Sequence, residues 1–405
     1  MRRAFGVMLA AAAVFTDGHA AAPVPVPLLD RCPGGGQVDE VFRDAALRAL
    51  QGLVISAPGQ PADGAVQAHH SAGHIDPQGQ AWYYVSAYQV NLAFIGALNV
   101  SPRLLPSARS WLRWQARHTM PTGPGQGVVF DHWVRAADLH ESTCPPGMDA
   151  ASCPRVDAFD STAASLLLLA DTYARRGADA ALLQEPTLHG ALTSAAGTLS
   201  ALTQRHGLSW AKPDHQVAYL MDAVEVAAGW RAWARLQADV YGAPQEAQAS
   251  LGAARRMDEA IVRHLWHAPS HSWRVSLGAA PADFSRWYPD TVAQAWPLLW
   301  SDGSDLAARA RAHVAWRRAA GSWHGPQGWP QRNVDPAGFW WPAVAVAARC
   351  VGDDVAAGAW VARARTAWLR DDAPFAWPFQ VGDLRWLFWL SDPVAGSGGR
   401  GFSVP

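Results

Sequence analysis

Two acidic residues, Asp222 and Glu225, interrupt an otherwise apolar stretch of the chain. Together with Ala218 and Gly229 they follow the spacing i, i+4, i+7 and i+11, which places all four on one stripe of a helix. Acids one and two turns inside a helix do not act as caps, and burial there raises a carboxyl pKa. A raised pKa is what a general acid needs. The structural alternative is a buried carboxylate that pairs with an arginine or accepts a hydrogen bond from a tyrosine.

Asp160 and Asp290 each precede Ser or Thr at the start of a predicted helix. Both fit an N-cap, which contributes about 1 kcal/mol. A helix N-terminus also keeps a carboxylate ionised. An ionised carboxylate about 6.5–9.5 Å from a protonated one is the arrangement of inverting glycosidases. The working hypothesis is therefore Glu225 or Asp222 as the acid and Asp160 or Asp290 as the base.

Tryptophan supports a sugar ligand, because flat indole faces match the C–H faces of sugar rings. The chain has 22 tryptophans. Each one taken singly is a plausible packing anchor, but many fall in long connections that should share one opening. The candidate substrate-binding residues are Trp82, Trp133, Trp210, Trp287, Trp329 and Trp340, together with Lys212, Tyr219 and Tyr288. Further tryptophans of these connections are Trp273, Trp323, Trp341 and Trp377, and the reserve carboxylates are Asp76 and Asp131.

Histidines and tyrosines in the same connections leave open a polysaccharide lyase, in which a base abstracts a proton beside a uronate carboxyl group. The groups concerned are His132, His215, His324, Tyr83, Tyr84, Tyr219 and Tyr288, with Lys212, Arg286 or Arg332 as the cation. His69, His70 and His74 lie near Asp76, but their spacing matches no zinc site. We expect neither a metal nor a cofactor. No GxSxG, P-loop or dinucleotide-binding fingerprint is present.

The composition bounds the class of protein. The chain has 405 residues, of which 50% are hydrophobic and 17% charged, with a formal net charge of −1. Without a basic patch or charge run, electrostatic capture of nucleic acid or of an anionic membrane is not expected. Lys212 is the one lysine among 33 Lys and Arg residues. It falls in one of the long connections.

The N-terminus has the pattern of an export signal. Arg2 and Arg3 precede an apolar segment, and small residues around Ala20 offer a cleavage site, so residues 1–22 are predicted to be a signal peptide. The apolar segment is about half of the ~20 residues needed to span a bilayer. We therefore expect a periplasmic or secreted protein.

Four cysteines fit an oxidising compartment. Cys144 and Cys153 share one connection, with Pro and Gly between them, and are predicted to form a local disulfide. Cys32 and Cys350 are expected at the same end of the molecule. They are either a second disulfide or two buried thiols.

Apolar residues at helical spacing recur along the whole chain. Helices with a charged stripe are expected outside and helices apolar all round inside. The predicted outer helices are 37–52, 103–118, 180–205, 246–265, 303–319 and 354–369. The predicted inner helices are 83–98, 159–175, 216–237, 289–300, 338–350 and 380–390.

Links from inner to outer helices are short, whereas links from outer to inner helices are mostly long. Six antiparallel hairpins with this asymmetry predict an all-α (α/α)6 toroid whose long loops gather at one end. We expect a single domain over residues 23–393 and a flexible tail over 394–405. The chain is expected to be a monomer without a membrane span.

The pattern resembles the six-hairpin glycosidase superfamily over almost the whole mature chain. The segments that carry the resemblance are Tyr219-Leu-Met-Asp222-Ala-Val-Glu225-Val-Ala-Ala-Gly229, Phe159-Asp160-Ser161-Thr162, Pro289-Asp290-Thr291 and the Trp-rich loops. Family 8 endoglucanases share the toroid and place a glutamate general acid ahead of the first inner helix. Residues 54–82 contain no glutamate, so the resemblance to that family is at best distant.

The sequence therefore predicts an exported, inverting glycoside hydrolase that acts on a polysaccharide or oligosaccharide. Two alternatives remain open. The first is the polysaccharide lyase. The second is a glycan-binding or polysaccharide-export accessory protein that kept the toroid and lost catalysis, because fold does not determine function.

Overall fold

Antiparallel helical hairpins make up the chain. The computed structural model describes residues 38–396 apart from 124, 178 and 301–305. The helices are α1 (Glu40–Leu53), α2 (Ala87–Val100), α3 (Leu105–His118), α4 (Phe159–Arg175), α5 (Ala180–Gln184), α6 (Pro186–Leu202), α7 (Leu220–Asp239), α8 (Pro244–Leu265), α9 (Trp296–Trp300), α10 (Leu306–Gly321), α11 (Pro342–Cys350), α12 (Asp354–Trp368), α13 (Leu384–Ser391) and α14 (Pro393–Gly396).

The inner helices close into a ring. Helix α2 packs on α4, α4 on α7, α7 on α9, α9 on α11, α11 on α13, and α13 again on α2. The outer helices pack behind them, for example α8 on α7, α12 on α11 and α1 on α13. This closed order confirms the predicted all-α (α/α)6 toroid.

Burial follows the two kinds of helix seen in the sequence. Every residue of α4 from Phe159 to Tyr173 is buried, because helices and loops surround this helix on all sides. Helix α1 instead buries one stripe, Phe42, Ala46, Leu50 and Leu53, and leaves its polar face to solvent. The inner helices therefore form a rigid ring that positions the residues at their N-terminal ends.

Local departures from the predicted helices have physical causes. The predicted outer helix 180–205 is broken at Glu185, because Pro186 lacks the N–H that a continuous helix would need and starts α6 instead. The fourth inner segment is irregular from Trp287 to Ala295 before it becomes α9. It contains Pro289, which cannot donate a helical hydrogen bond.

Short strands, which the sequence did not predict, lie in the long connections. The strands β1 (His74–Ile75), β2 (Ala81–Val85), β3 (His132–Arg135) and β4 (Glu141–Ser142) form an antiparallel sheet in that order. The strands β5 (Trp266–His267) and β6 (Ser272–Trp273) form a second pair. The first inner helix begins at Ala87 rather than at 83, because residues 81–85 pair with β3.

The predicted disulfide between Cys144 and Cys153 is confirmed. Cys32 and the predicted signal peptide lie outside the described residues, so the pairing of Cys32 with Cys350 stays a prediction. Helix α14 (Pro393–Gly396) includes residues 394–396 of the predicted tail, and residues 397–405 lie outside the described ranges. No helix within those ranges is long and apolar enough to cross a membrane.

Candidate functional site

The N-terminal ends of the inner helices surround a cavity of about 790 Å³, at the end of the ring that we call the mouth. Its walls come from α2, α4, α7, the irregular fourth segment and the turns before α11 and α13. The polar groups on its surface are Tyr84, Ser86, Tyr88, Gln89, Asp131, Asp157, Ser161, Thr162, Lys212, His215, Tyr219, Asp222, Glu225, Tyr288 and Gln380. We call this cavity the polar lobe.

A second cavity of about 540 Å³ adjoins the polar lobe. The two share the walls Tyr88, Gln89, Asp157, Tyr288, Trp296, Trp341 and Gln380. Its remaining walls are mainly apolar: Leu92, Pro336, Ala337, Phe339, Pro342, Ala343 and Trp386, with Asp335, Gly382 and Asp383. We call this cavity the aromatic lobe.

Asp222 lies on the wall of the polar lobe, two residues into α7. Its side chain is only partly buried, and within the described part of the chain no hydrogen bond or ion pair engages its carboxyl group. Burial and the nearby negative charge of Asp157 raise the pKa of Asp222 to about 7. This carboxyl group is free to contact a ligand and carries a proton for part of the time at neutral pH.

Glu225 lies one turn deeper on α7 and is 2% exposed. Its Oε1 accepts hydrogen bonds from Tyr88 Oη at 2.7 Å and from Trp296 Nε1 at 2.9 Å. Burial and the charge of Asp222 raise the pKa of Glu225 to about 8, although both hydrogen bonds oppose the shift. Glu225 therefore forms the floor of the polar lobe, and its position is fixed by two aromatic donors.

A buried arginine lies near this floor. Arg385, on α13, is 6% exposed and stacks over the rings of Trp300 at 4.2 Å and Trp386 at 4.8 Å. Burial lowers the pKa of Arg385 to about 10, and the positive charge in turn lowers the pKa of Glu225. Its Nε and Nη1 have no hydrogen-bond partner in the described ranges.

Helices α4 and α7 approach closely where Gly229 meets Ala164. A Cβ atom on Gly229 would lie 2.7 Å from the Ala164 Cβ. Asp160 and Glu225 each lie four residues, about one helical turn, before this contact, so the two acids lie at the same height along the paired helices. Only glycine at position 229 allows the two helices, and the acids they carry, to lie so near each other.

Asp160 does not reach the cavity. It is fully buried, accepts hydrogen bonds from Ser209 Oγ at 2.6 Å and from the Ser161 amide at 2.8 Å, and is not part of the cavity wall. Burial and the charge of Asp222 raise the pKa of Asp160 well above its usual value. The structure therefore does not bring Asp160 to the cavity wall, and its carboxyl group ties the loop at Ser209 to the start of α4.

Asp290 is also directed away from the cavity. It is 5% exposed, accepts a hydrogen bond from the Asp283 amide at 3.0 Å and lies 3.2 Å from Arg286 Nε. Its neighbour Pro289 lines the polar lobe, but Asp290 does not. Asp160 and Asp290 lie outside the cavity wall for the same reason, since a residue at a helix start can face either the opening or the loop behind it.

Asp157, which the sequence analysis did not select, lines both lobes. It is exposed and lies in the connection two residues ahead of α4. The charge of Asp157 contributes to the raised pKa of Asp222. Burial raises the pKa of Asp131 to about 6, and the charge of Asp157 adds to that shift. The position of Asp157 just before the predicted helix start could have identified it, but the sequence analysis selected Asp160 at that helix start instead.

The two reserve carboxylates differ. Asp131 lines the polar lobe, and Arg155 lies 3.7 Å away. Asp76 is buried and accepts hydrogen bonds from the Gln78 and Gln80 amides and from Trp82 Nε1. Asp76 therefore shapes a turn beside the sheet.

Lys212, Tyr219 and Tyr288, predicted to bind substrate, all line the polar lobe. Lys212 Nζ donates to the Val156 carbonyl at 3.3 Å. The Tyr219 hydroxyl lies 2.9 Å from His215 Nε2. Tyr288 is 51% exposed and stacks on Trp341 at 4.8 Å, in the wall between the two lobes.

The predicted tryptophan lining needs correction. Four of the predicted residues are no more than 5% exposed and line neither lobe, because they pack in the sheet or the core: Trp82, Trp133, Trp287 and Trp329. Trp210 and Trp340 are partly buried against the core and also lie outside both walls. The indoles that do face the lobes are those of Trp296, Trp341 and Trp386. Trp296 and Trp386 were missed because they lie within helices and not in loops.

The geometry suits proton transfer to an uncharged ligand. Aligned helix N-termini carry partial positive charge and stabilise carboxylates. Burial among aromatic walls acts in the opposite direction and keeps Asp222 and Glu225 partly protonated near pH 7. In the described ranges, no group of three or more His, Cys, Asp or Glu side chains is arranged to hold a metal ion.

Solved glycosidase structures share this fold at low sequence identity. A protein described as "Glycosidase Wild Type" is 16% identical, with a TM-score of 0.53 over 89% of this chain and 94% of that chain. A GH76 alpha-mannanase from Bacteroides thetaiotaomicron is 10% identical, with a TM-score of 0.51 over 90% and 97%. The GH63 mannosylglycerate hydrolase from Thermus thermophilus, in complex with glucose, is 14% identical, with a TM-score of 0.50 over 86% and 99%.

No model of a protein family matches the chain, and no curated protein sequence matches it. At 10–16% identity the likeness concerns the toroid alone. The distant likeness to family 8 stays a prediction.

Proposed function

We propose that the protein is a glycoside hydrolase in which Asp222 is the general acid. The observation that carries this proposal is a carboxyl group with a pKa of about 7 on the wall of a 790 Å³ cavity, without a partner in the described structure. A general acid works best when its pKa lies near the working pH. The glycosidases that share the toroid are consistent with this function.

Asp222 is favoured over Glu225 because of their hydrogen bonds. Glu225 Oε1 already accepts from Tyr88 and Trp296, and its side chain is 2% exposed. Asp222 faces the cavity without such contacts. In this proposal Asp222 donates its proton to the glycosidic oxygen, and Glu225 acts as a positioning residue that holds Tyr88 and Trp296 in the floor.

Asp157 is proposed as the second carboxylate. It lines the same cavity from a different element and is exposed. We further propose that Asp157 activates a water molecule, with inversion at the anomeric carbon. That geometry needs about 6.5–9.5 Å between the two carboxyl groups.

The substrate is proposed to be an uncharged sugar. Asp157 adds negative charge to the wall of the polar lobe, Asp131 and Asp222 add more when they are ionised, and Lys212 is the cation on that wall. Like charges in a cavity of low dielectric repel strongly, so a uronate carboxylate would be disfavoured. A neutral oligosaccharide or glycoside meets no such barrier, and its hydroxyl groups match the tyrosines and carboxylates of the wall.

The proposed enzyme acts outside the cytoplasm. Support comes from the signal-like residues 1–22 and from the disulfide between Cys144 and Cys153, which is compatible with an oxidising compartment. Localisation of a full-length fusion, compared with one that lacks residues 1–22, tests this part separately.

The test measures sugar release by the mature protein from a panel of neutral oligosaccharides, glycosides and uronate polymers. We expect release from neutral substrates, loss of at least about 100-fold with Asp222→Asn, and a comparable loss with Asp157→Asn. The control is Asp214→Asn, since Asp214 is exposed in a nearby loop and is not part of either wall. No release from any member of the panel, by a folded protein, would contradict the proposal.

Inversion is tested by proton NMR of the first product formed. An anomer opposite to that of the substrate is expected. Formation of the same anomer would refute the role of Asp157 as a water-activating base, while the assignment of Asp222 as the acid would stand.

A polysaccharide lyase is the second candidate, because His215 and Tyr219 form a hydrogen-bonded pair beside Lys212 in the polar lobe. Such a pair abstracts a proton next to a uronate carboxylate, and Lys212 is the neighbouring cation. Release of a product that absorbs in the ultraviolet from a uronate polymer, lost in Tyr219→Phe, would favour this function over hydrolysis.

A further inference from the structure

The aromatic lobe differs chemically from the polar lobe although the two adjoin and Asp157 lines both. Its volume of about 540 Å³ falls in the range of small-molecule sites. Trp296, Trp341, Trp386, Phe339 and Leu92 supply flat or apolar surface. A ligand that spans both lobes therefore meets a hydroxyl-binding wall on one side and an apolar wall on the other.

Polar groups on the wall of the aromatic lobe mostly bind one another. Trp341 Nε1 donates to Asp335 Oδ2 at 2.7 Å, and the other oxygen of Asp335 accepts from the Ala337 amide at 2.8 Å. Trp296 Nε1 donates to Glu225. The indole N–H groups of Trp296 and Trp341, which would otherwise serve sugar hydroxyls, are therefore already used.

The same holds for the turn that precedes α13. Gln89 Nε2 donates to Gln380 Oε1, and the backbone N–H of Gln380 donates to Asp383 Oδ2 at 3.0 Å. Asp383 Oδ1 and Gln89 Oε1 have no described hydrogen bond, and neither have Asp157 and Tyr288 on the part of the wall shared with the polar lobe. A sugar ring in this lobe would lose several hydrogen bonds to water and regain few, and unpaired buried polar groups are costly.

We propose that the aromatic lobe binds an apolar, preferably aromatic, aglycone, so that the enzyme prefers aryl or long-chain alkyl glycosides to the interior of a sugar chain. This inference rests on the proposed glycosidase function. The glycone occupies the polar lobe, the glycosidic oxygen lies near Asp222, and the leaving group passes the wall shared by the two lobes and enters the aromatic lobe. Asp383, on the part of the wall that belongs to the aromatic lobe alone, can bind a polar substituent on that group.

The first arm of the test compares methyl, octyl and phenyl glycosides that carry the same sugar. We expect kcat/KM for the octyl and phenyl glycosides to exceed that of the methyl glycoside by about 10-fold or more, the scale on which apolar pockets discriminate. Ala337→Trp places an indole in the lobe from an exposed position and should lower kcat/KM for the octyl and phenyl glycosides to about the value for the methyl glycoside measured with the same variant. Ala249→Trp, on the exposed face of the outer helix α8, is the matched control.

Equal kcat/KM values for all three aglycones would overturn the inference and leave the hydrolase function intact. A second arm is independent of catalysis. Calorimetric titration with phenol and with 1-octanol should show binding to the wild type and to Ala249→Trp, weakened about 10-fold in Ala337→Trp. If no glycoside is cleaved, the hydrolase function fails, and this titration alone decides whether the lobe binds an apolar group. No binding of either probe would overturn the inference.

Discussion

Replacing Asp222 by Asn is the sharpest test of how the site works. The change removes the proton donor but keeps the size of the side chain, and no described hydrogen bond to Asp222 is lost. Since the pKa of Asp222 is raised to about 7, the group is about 90% protonated at pH 6 and about 10% at pH 8. Activity that depends on this proton should fall about tenfold per pH unit above 7.

The size of the effect depends on the leaving group. General acid catalysis contributes about 10²–10⁴-fold, and this contribution should be lost in Asp222→Asn for a poor leaving group such as an alcohol. An activated nitrophenyl leaving group needs little protonation, so the loss there should stay below about tenfold. The alkaline limb of the pH–rate profile should disappear for both substrates in the variant.

Glu225→Gln is the matched control. A glutamine Oε1 can still accept from Tyr88 and Trp296, so the floor stays satisfied. We expect a loss of less than about tenfold and an alkaline limb still near pH 7. The opposite result would refute our reasoning: an alkaline limb of the pH–rate profile near pH 8 that is lost in Glu225→Gln and retained in Asp222→Asn. It would assign the general acid to Glu225, whose pKa is about 8.

Further predictions concern stability. Asp171→Asn should destabilise the protein by about 3–5 kcal/mol, because it removes the buried carboxylate that Arg235 binds through both oxygens. Urea unfolding measures this change, and a value below about 1 kcal/mol would contradict the prediction. Gly229→Ala should lower the free energy of unfolding by about 1–3 kcal/mol, because the added methyl group forces α7 away from Ala164. Gly190→Ala, at an open position in α6, should instead raise it by about 0.5–1 kcal/mol. The melting temperature should fall as the pH rises from about 4 to 8. The pKa values of Asp222 and Glu225 are raised in the folded state, so the protonated acids favour folding, and this contribution is lost as the pH rises through about 7 and 8. Replacing both acids by their amides should flatten this dependence of the melting temperature on pH, and an unchanged dependence would exclude the two acids as its source.

The toroid was predictable because hydrophobic pattern and connection length both repeat along the chain. A helix such as α4, apolar on all sides, has to lie inside, and a helix with one apolar stripe has to lie outside. Short and long connections alternate, and this fixed which end carries the loops. The acids of α7 were predictable for the same reason, since a helix turns by a known angle per residue and puts Asp222 and Glu225 on one stripe.

Which way a residue faces at a helix start was not predictable. Asp157 and Asp160 lie three residues apart around the start of α4, yet Asp157 faces the opening while Asp160 binds Ser209 behind it. The backbone conformation of the preceding loop decides this, and that conformation depends on contacts with residues distant in sequence. The small sheet in the connections escaped prediction because its strands, such as β1 with two residues, are too short to show alternation.

The energetics of the α7 acids favour function over stability as the reason for their presence. Asp171, a buried acid on the neighbouring inner helix α4, binds Arg235 and Arg175, and its pKa is lowered. Asp222 and Glu225 are instead placed near each other, which raises the pKa of Glu225, and neither forms a described ion pair. Such an arrangement costs folding free energy at neutral pH. In the described ranges Asp171 has two counter-charges and the α7 acids have none. This difference supports our proposal that the α7 acids serve a ligand, because local conflicts of this kind concentrate at functional sites.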